Sequence, residues 1–296
     1  MVDLNPAGFS ESLARGVSGV TQVGSGKGSA TGGKTHALLW SGTAASVVDL
    51  NPTGVSTSSA SDAWGTSQVG GGDDHALLWH GSADSAVDLH PAGYTASIAT
   101  GAWDSFQVGS GYGPSTGNAD HALLWSGTAA SVVDLHPPGW LKSFAEAVSG
   151  NNQVGYAFPI TPGPHAMLWT GTAASAVDLN PAGMQSSYAL AVSDNIQAGY
   201  AIAPGGVGHA FAWNGTAASA VDLQPFLSGL GPTFNSSVAQ AISENGVIVG
   251  QAHDASGNAY AVLWTPVPEP SSLVMTFGTV AMVSTITRRR YSYIAL

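Results

Sequence analysis

The chain copies itself. The pentapeptide HALLW starts at His36, His75 and His121 and returns as HAMLW at His165, HAFAW at His209 and YAVLW at Tyr260, at intervals of 39 to 51 residues. Two other motifs keep step with it. One is Val-Asp-Leu, with its aspartate at Asp3, Asp49, Asp88, Asp134, Asp178 and Asp222. The other is Gln-Val/Ala-Gly, ending at Gly24, Gly70, Gly109, Gly155 and Gly199 and becoming Ile-Val-Gly at Gly250. Repetition at this period restricts the chain to an array whose units bury their apolar surface against their neighbours.

The spacings separate framework from decoration. From each motif tryptophan to the next motif aspartate is nine residues, as from Trp40 to Asp49 and from Trp213 to Asp222. From that aspartate to a repeated serine is also nine, as from Asp134 to Ser143, until Asp222 to Ser237 lengthens to fifteen. Most of the remaining variation falls between the motif glycine and the motif histidine, where eleven residues in the first unit become four, GGDD, in the second. A segment that tolerates such changes is a surface hairpin loop.

Each unit reads as four short strands: SxAxAVS, the stretch ending in QVG, HALLW, and ASVVDL, punctuated by Gly, Asn, Asp and Pro. The apolar runs are nearly continuous, which predicts strands buried on both faces between stacked sheets. The expected fold class is therefore all-β: a six-unit repeat forming a six-bladed β-propeller over residues 1–264. The chain starts at a Val-Asp-Leu strand and its last unit stops at Trp264, before the next such strand would come. Two readings of this phase stand side by side. The N-terminal strand closes the ring by completing the sixth blade, or the first unit continues upstream of Met1.

Composition limits the chemistry. Only 8% of residues are charged, and 44% are hydrophobic, with no cysteine. There is accordingly no disulfide framework and no thiolate metal site or nucleophile. Before position 267 four basic residues, Arg15, Lys27, Lys34 and Lys142, face seventeen acidic ones. That balance excludes nucleic acid as a partner, because phosphate binding needs clustered Lys and Arg.

The order of motifs, AVSGNNQVGY followed by HAMLWTGTAASAVDLNPAG, resembles the HAF family of extracellular repeats over residues 1–264. Only His209-Ala210-Phe211 matches the family name literally. Residues 265–296 contain VPEPSSLVMTFGTVAMVSTITRRR, which resembles a PEP-CTERM sorting tail. The resemblance implies Pro268, Glu269 and Pro270 as the recognition triplet, a short hydrophobic helix over 273–286, and Arg288, Arg289 and Arg290 as the basic end. It also implies exosortase-type sorting machinery as a partner, transient anchoring in the inner membrane, export to the cell surface or matrix, and a leader upstream of MVDLNPAG. The arginines would stay on the cytoplasmic side.

Ser, His and Asp recur, and a triad could be assembled on paper from His121, Asp134 and Ser143. Catalytic groups need one matched pocket, whereas residues repeated in every unit serve the fold. The motif histidines are thus expected to be structural, and no cofactor or metal site is expected. Asp73, Asp74 and Asp120 could ligate calcium, but no twelve-residue calcium loop surrounds them. The Gly-rich GSGKGSATGGKT lacks phosphate-loop spacing.

Function on a repeated scaffold is expected where the repeat breaks. Trp64 and Trp103 replace a serine of other units, and Tyr94 and Trp140 follow a repeated glycine. These four are the candidate sugar-stacking residues, with packing between blades as their alternative role. The sequence favours a non-enzymatic surface or matrix protein that binds polysaccharide or a protein partner. The alternative is a polysaccharide hydrolase or lyase in the propeller channel, for which Glu11, Asp104, Glu146 and Glu244 are the acids to inspect.

Overall fold

The structure, a computed structural model, describes residues 2–160, 163–267 and 292–295. It contains six four-stranded antiparallel sheets, one per sequence unit. They are numbered here as blades 1 to 6, spanning 9–49, 58–88, 96–134, 142–178, 186–222 and 234–267, the last with a fourth strand at Ser292–Ala295. Blade 4 shows the pattern: Lys142–Ser149, Asn152–Phe158, His165–Trp169 and Val177–Asp178, paired in chain order.

The invariant residues are explained by what they touch. In the first strand of every blade a bulge, as between Ala145 and Ala147, brings the backbone against the motif glycine of the second strand. A Cβ on Gly155 would lie 2.0 Å from the Phe144 carbonyl oxygen, and the other five motif glycines are equally crowded. No residue but glycine fits there. The motif glutamine before it is buried and works as a clamp. Gln153 Oε1 accepts the Gly171 N–H at 2.7 Å while its Nε2 donates to the Asn151 carbonyl at 2.9 Å. The nine-residue connector from Trp to Asp is a tight turn and one 3₁₀ turn, such as Ala173–Ser175, locked by the serine hydroxyl bonding Thr170 N–H and the Thr172 carbonyl.

Consecutive blades pack face to face through five apolar clusters, one per junction. At each, an alanine and a second apolar residue from the first strand of the later blade, such as Ala145 and Val148, meet a residue like Val108 of the earlier one. The motif tryptophans Trp40, Trp79, Trp125, Trp169, Trp213 and Trp264 are all buried. The near-continuous apolar runs of the sequence thus do mark sheets covered on both faces within the array.

The end blades differ. Ala14 and Val17 occupy the positions of Ala145 and Val148 yet are exposed, Val17 by 65%. Val249 stands where Val108 does and is 41% exposed, and Ala261, the counterpart of buried Ala122, is exposed too. Among the described residues no apolar cluster joins blade 6 to blade 1. The array is open.

This corrects the expectation that the N-terminal strand closes the ring. Residues 2–6 form no strand, and Ser292–Ala295 pairs with the free edge of Ala259–Val267 instead. The N-terminal segment is held by its own blade. Asp3 Oδ1 accepts the Asn5 N–H at 2.9 Å, and Asn5 Oδ1 accepts the Ser12 hydroxyl at 2.8 Å. Those links tie it to the first strand of blade 1. The expected C-terminal helix, the triplet Pro268, Glu269, Pro270 and the arginines Arg288, Arg289 and Arg290 lie outside the described residues. Among the described residues no helix is long and apolar enough to cross a membrane.

Candidate functional site

The repeated polar residues form stitches between blades. Asp134 Oδ2 lies 2.7 Å from His121 Nδ1, and its Oδ1 accepts the His136 N–H at 2.8 Å. Ser143, at the start of the next blade, accepts the Ala122 N–H at 2.9 Å and bonds His136 Nδ1 at 2.9 Å. The same connectivity recurs at all five junctions, as in His36, Asp49, Asn51 and Ser58. Ser143 is therefore not a partner of His121, and its buried hydroxyl is engaged on both sides. His121, Asp134 and Ser143 instead belong to one interblade stitch, with His136 between Asp134 and Ser143. Among the described residues no group of three or more His, Cys, Asp or Glu is placed to hold a metal.

The four aromatic candidates do not converge. Trp64 and Trp103, at the far ends of the first strands of blades 2 and 3, meet with ring centroids 5.5 Å apart and pack against interblade clusters. Tyr94 and Trp140 lie at the opposite strand ends, also partly buried against those clusters. Trp140 sets its edge on His165 at 5.6 Å. All four contribute to packing at the junctions.

A different set of repeat-breaking residues does converge. One cross-strand pair per blade occupies the position just after the motif glycine and its partner on the first strand. In blades 2 and 3 the pairs are small or aliphatic: Ser59 with Gly71, and Ile98 with Ser110. In blades 4 and 5 they are Phe144 with Tyr156 and Tyr188 with Tyr200. Their rings form a ladder. Phe144 stacks on Tyr156 at 5.0 Å, Tyr156 meets Tyr188 at 4.9 Å, Tyr188 stacks on Tyr200 at 4.7 Å, and Phe158 borders Tyr156 at 5.9 Å. Each ring is half-buried.

Where the pairs are small, a cavity of about 510 Å³ opens at the junction of blades 2 and 3. Ser59, Gly71, Ile98 and Ser110 line it, with Asp73, Asp74 and Asp120 from the variable loops. Asp73 holds the Ser56 and Thr57 backbone N–H groups, and chiefly the Ser56 bond keeps the pKa of its carboxyl below the usual carboxylate range. Lys142 pairs with Asp120 at 3.1 Å. Tyr94 packs beside the lining residue Gly111, a Cβ on which would sit 3.0 Å from its ring.

Of the four acids singled out by sequence, one belongs to this surface. Glu11 is exposed and paired with Lys27 at 2.9 Å, while Asp104 and Glu244 are exposed near turns. Glu146 sits at the bulge of blade 4, and burial pushes its carboxyl above the ordinary range. Burial, then the Glu146 charge, then the neighbouring phenols and Asp120 push the Tyr156 hydroxyl to about 12. Tyr200 is also pushed to about 12, by burial, Tyr188 and Glu146. The site thus combines aromatic faces, hydroxyls and carboxylates along one side of the array. Sequence inspection missed the ladder, although Ser25, Gly71, Ser110, Tyr156, Tyr200 and Gln251 form one visibly variable column after the motif glycine.

No family model matches this chain, and no curated protein does. Among solved structures it is similar to the β-propeller domain of the Trilobed protease from Pyrococcus furiosus, described as having an open velcro topology. The TM-score is 0.53 at 8% identity, covering 86% of this chain and 83% of that one. The fold is a β-propeller. A puromycin hydrolase aligns at a TM-score of 0.40 and 12% identity over 88% of this chain, which spans 51% of that protein.

Proposed function

We propose that this chain is a non-enzymatic, exported protein of the cell surface or extracellular matrix that binds polysaccharide on the face of blades 4 and 5. The observation that carries the binding reading is the ladder Phe144, Tyr156, Tyr188 and Tyr200 beside a cavity walled by hydroxyls and carboxylates. Sugar rings present apolar C–H faces and a rim of hydroxyls. Half-buried aromatic planes receive the first, and carboxylates such as Asp120 accept from the second. The excess of acid over base favours a neutral polymer over a polyanion. Export and exosortase-type sorting rest on the sequence of the tail, with Pro268, Glu269 and Pro270 as the recognised triplet.

The test is a glycan array followed by titration of the polymer that binds. Tyr156→Ala and Tyr188→Ala are each expected to weaken binding about tenfold, equivalent to about 1.4 kcal/mol of lost ring contact. Trp64→Ala and Trp103→Ala, at the other strand ends, are expected to leave it unchanged. Absence of any glycan binding sinks the reading.

A second reading is favoured by Glu146 alone. Burial raises the pKa of its carboxyl, the direction in which a general acid of glycoside cleavage is tuned. Release of reducing ends from a bound polymer, abolished by Glu146→Gln with binding retained, would replace the binding reading with a hydrolase.

A further inference from the structure

Two unpartnered faces lie at the ends of the array, one on blade 1 and one on blade 6. Five times within the chain the same junction is built: an alanine and an apolar residue of the later blade against a valine or alanine of the earlier one. Ala60 and Ala63 meet Val23, and Ala189 and Val192 meet Val154. Blade 1 presents Ala14 and Val17 at the later-blade positions, and blade 6 presents Val249 and Ala261 at the earlier-blade positions, all exposed. The geometry points to head-to-tail association of two copies of this chain, with blade 1 of one packed on blade 6 of the other.

The occupant is specified by the junctions themselves. Each half of the surface is shaped for the other half, and five internal examples show how they fit. The polar stitch repeats the match. At internal junctions the first-strand serine accepts an N–H from the alanine after the motif histidine, as Ser58 does from Ala37 at 3.0 Å. Ser12 and Ala261 hold those two positions at the open ends. Ser12 Oγ, which donates to Asn5, keeps a lone pair for that acceptor role. The two faces belong to different parts of the chain, so the contact is heterologous and extends by addition of further copies unless its rotation closes a ring.

The chain has no cysteine, which makes the test clean. Mass in solution is measured by light scattering over a wide range of concentration for the full chain and for Val17→Asp and Val249→Asp. Both positions are exposed, and unchanged circular dichroism and melting confirm that the variants fold. The native chain is expected to grow in mass with concentration, and each variant to remain a single chain. An equimolar mixture of the two variants is expected to form pairs and nothing larger, because each retains one intact face. A cysteine pair, Val17→Cys with Val249→Cys, distinguishes the remaining arrangement. Disulfides between copies are expected. A native chain that stays monomeric at every concentration, or a disulfide that forms within one copy, overturns the inference.

Discussion

His136 Nδ1 lies 2.9 Å from the Ser143 hydroxyl, in the place where Asn51 and Asn180 put a side-chain oxygen against Ser58 and Ser187. The substitution is complete down to the second nitrogen. His136 Nε2 is 3.1 Å from the Trp140 carbonyl, as Asn180 Nδ2 is 3.2 Å from that of Met184. Facing a carbonyl, Nε2 must carry the hydrogen. Nδ1 is then the acceptor of the serine hydroxyl, and the ring is neutral. His90 makes the same contacts with Ser97 and Tyr94. Each ring also stacks on a motif histidine, His121 on His136 at 3.9 Å and His75 on His90 at 3.9 Å.

Acid is expected to loosen the junction of blades 3 and 4. Burial and then the His121 charge lower the basicity of His136, outweighing the Trp140 carbonyl and Asp134, which raise it. A depressed histidine binds fewer protons folded than unfolded, so stability is lost as pH falls below the ordinary histidine range of about 6.5. Urea midpoints at neutral pH and at about pH 5 should differ more for the native chain than for His136→Asn, which keeps the bonds without the titration.

Ser143→Ala is expected to cost about 1 to 3 kcal/mol, because it leaves the buried Ala122 N–H without its acceptor. Ser12→Ala removes only a partly exposed bond to Asn5 and should cost under about 0.5 kcal/mol. Chemical denaturation of the two variants side by side reads the difference between an internal and an open junction.

Gly155→Ala is expected to destabilise blade 4 by about 1 to 3 kcal/mol or more, since the added methyl meets the Phe144 carbonyl and the bulge must open. Gly171→Ala provides the contrast. Its Cβ meets nothing, and only its positive φ of 85° opposes the change. Melting temperatures should rank native, Gly171→Ala and Gly155→Ala in falling order.

Two tyrosines should ionise late. Tyr156 and Tyr200, each pushed to about 12, are expected to titrate after the exposed tyrosines in a near-ultraviolet pH titration. Glu146→Gln removes one of the charges that oppose phenolate formation, so both hydroxyls should ionise earlier. An unchanged titration would separate Glu146 from the ladder.

The blades were readable in advance because each unit states its own strands, and six statements agree. His121, Asp134 and Ser143 could be recognised as framework for the same reason. The open ends were not readable. Ala14 and Val17 carry the same residue types as their buried counterparts, and whether anything covers them depends on the turn per blade, which no local motif records. The ladder was partly readable. Tyr156 and Tyr200 break the repeat openly, but Phe144 and Tyr188 join them only through the cross-strand register. Trp64 and Trp103 stand out in the sequence by size, and the structure packs both against interblade clusters.

The bulge and the clamp act within one blade, while the apolar clusters and serine stitches act only between neighbours. Resistance to unfolding is therefore local and ordered along the chain. An internal blade is gripped from both sides, and a terminal blade from one. Heat, denaturant or a pulling force should unzip the protein from its ends inward, releasing blades one after another, so that the ladder loses Tyr188 and Tyr200 with blade 5 before Phe144 and Tyr156 with blade 4.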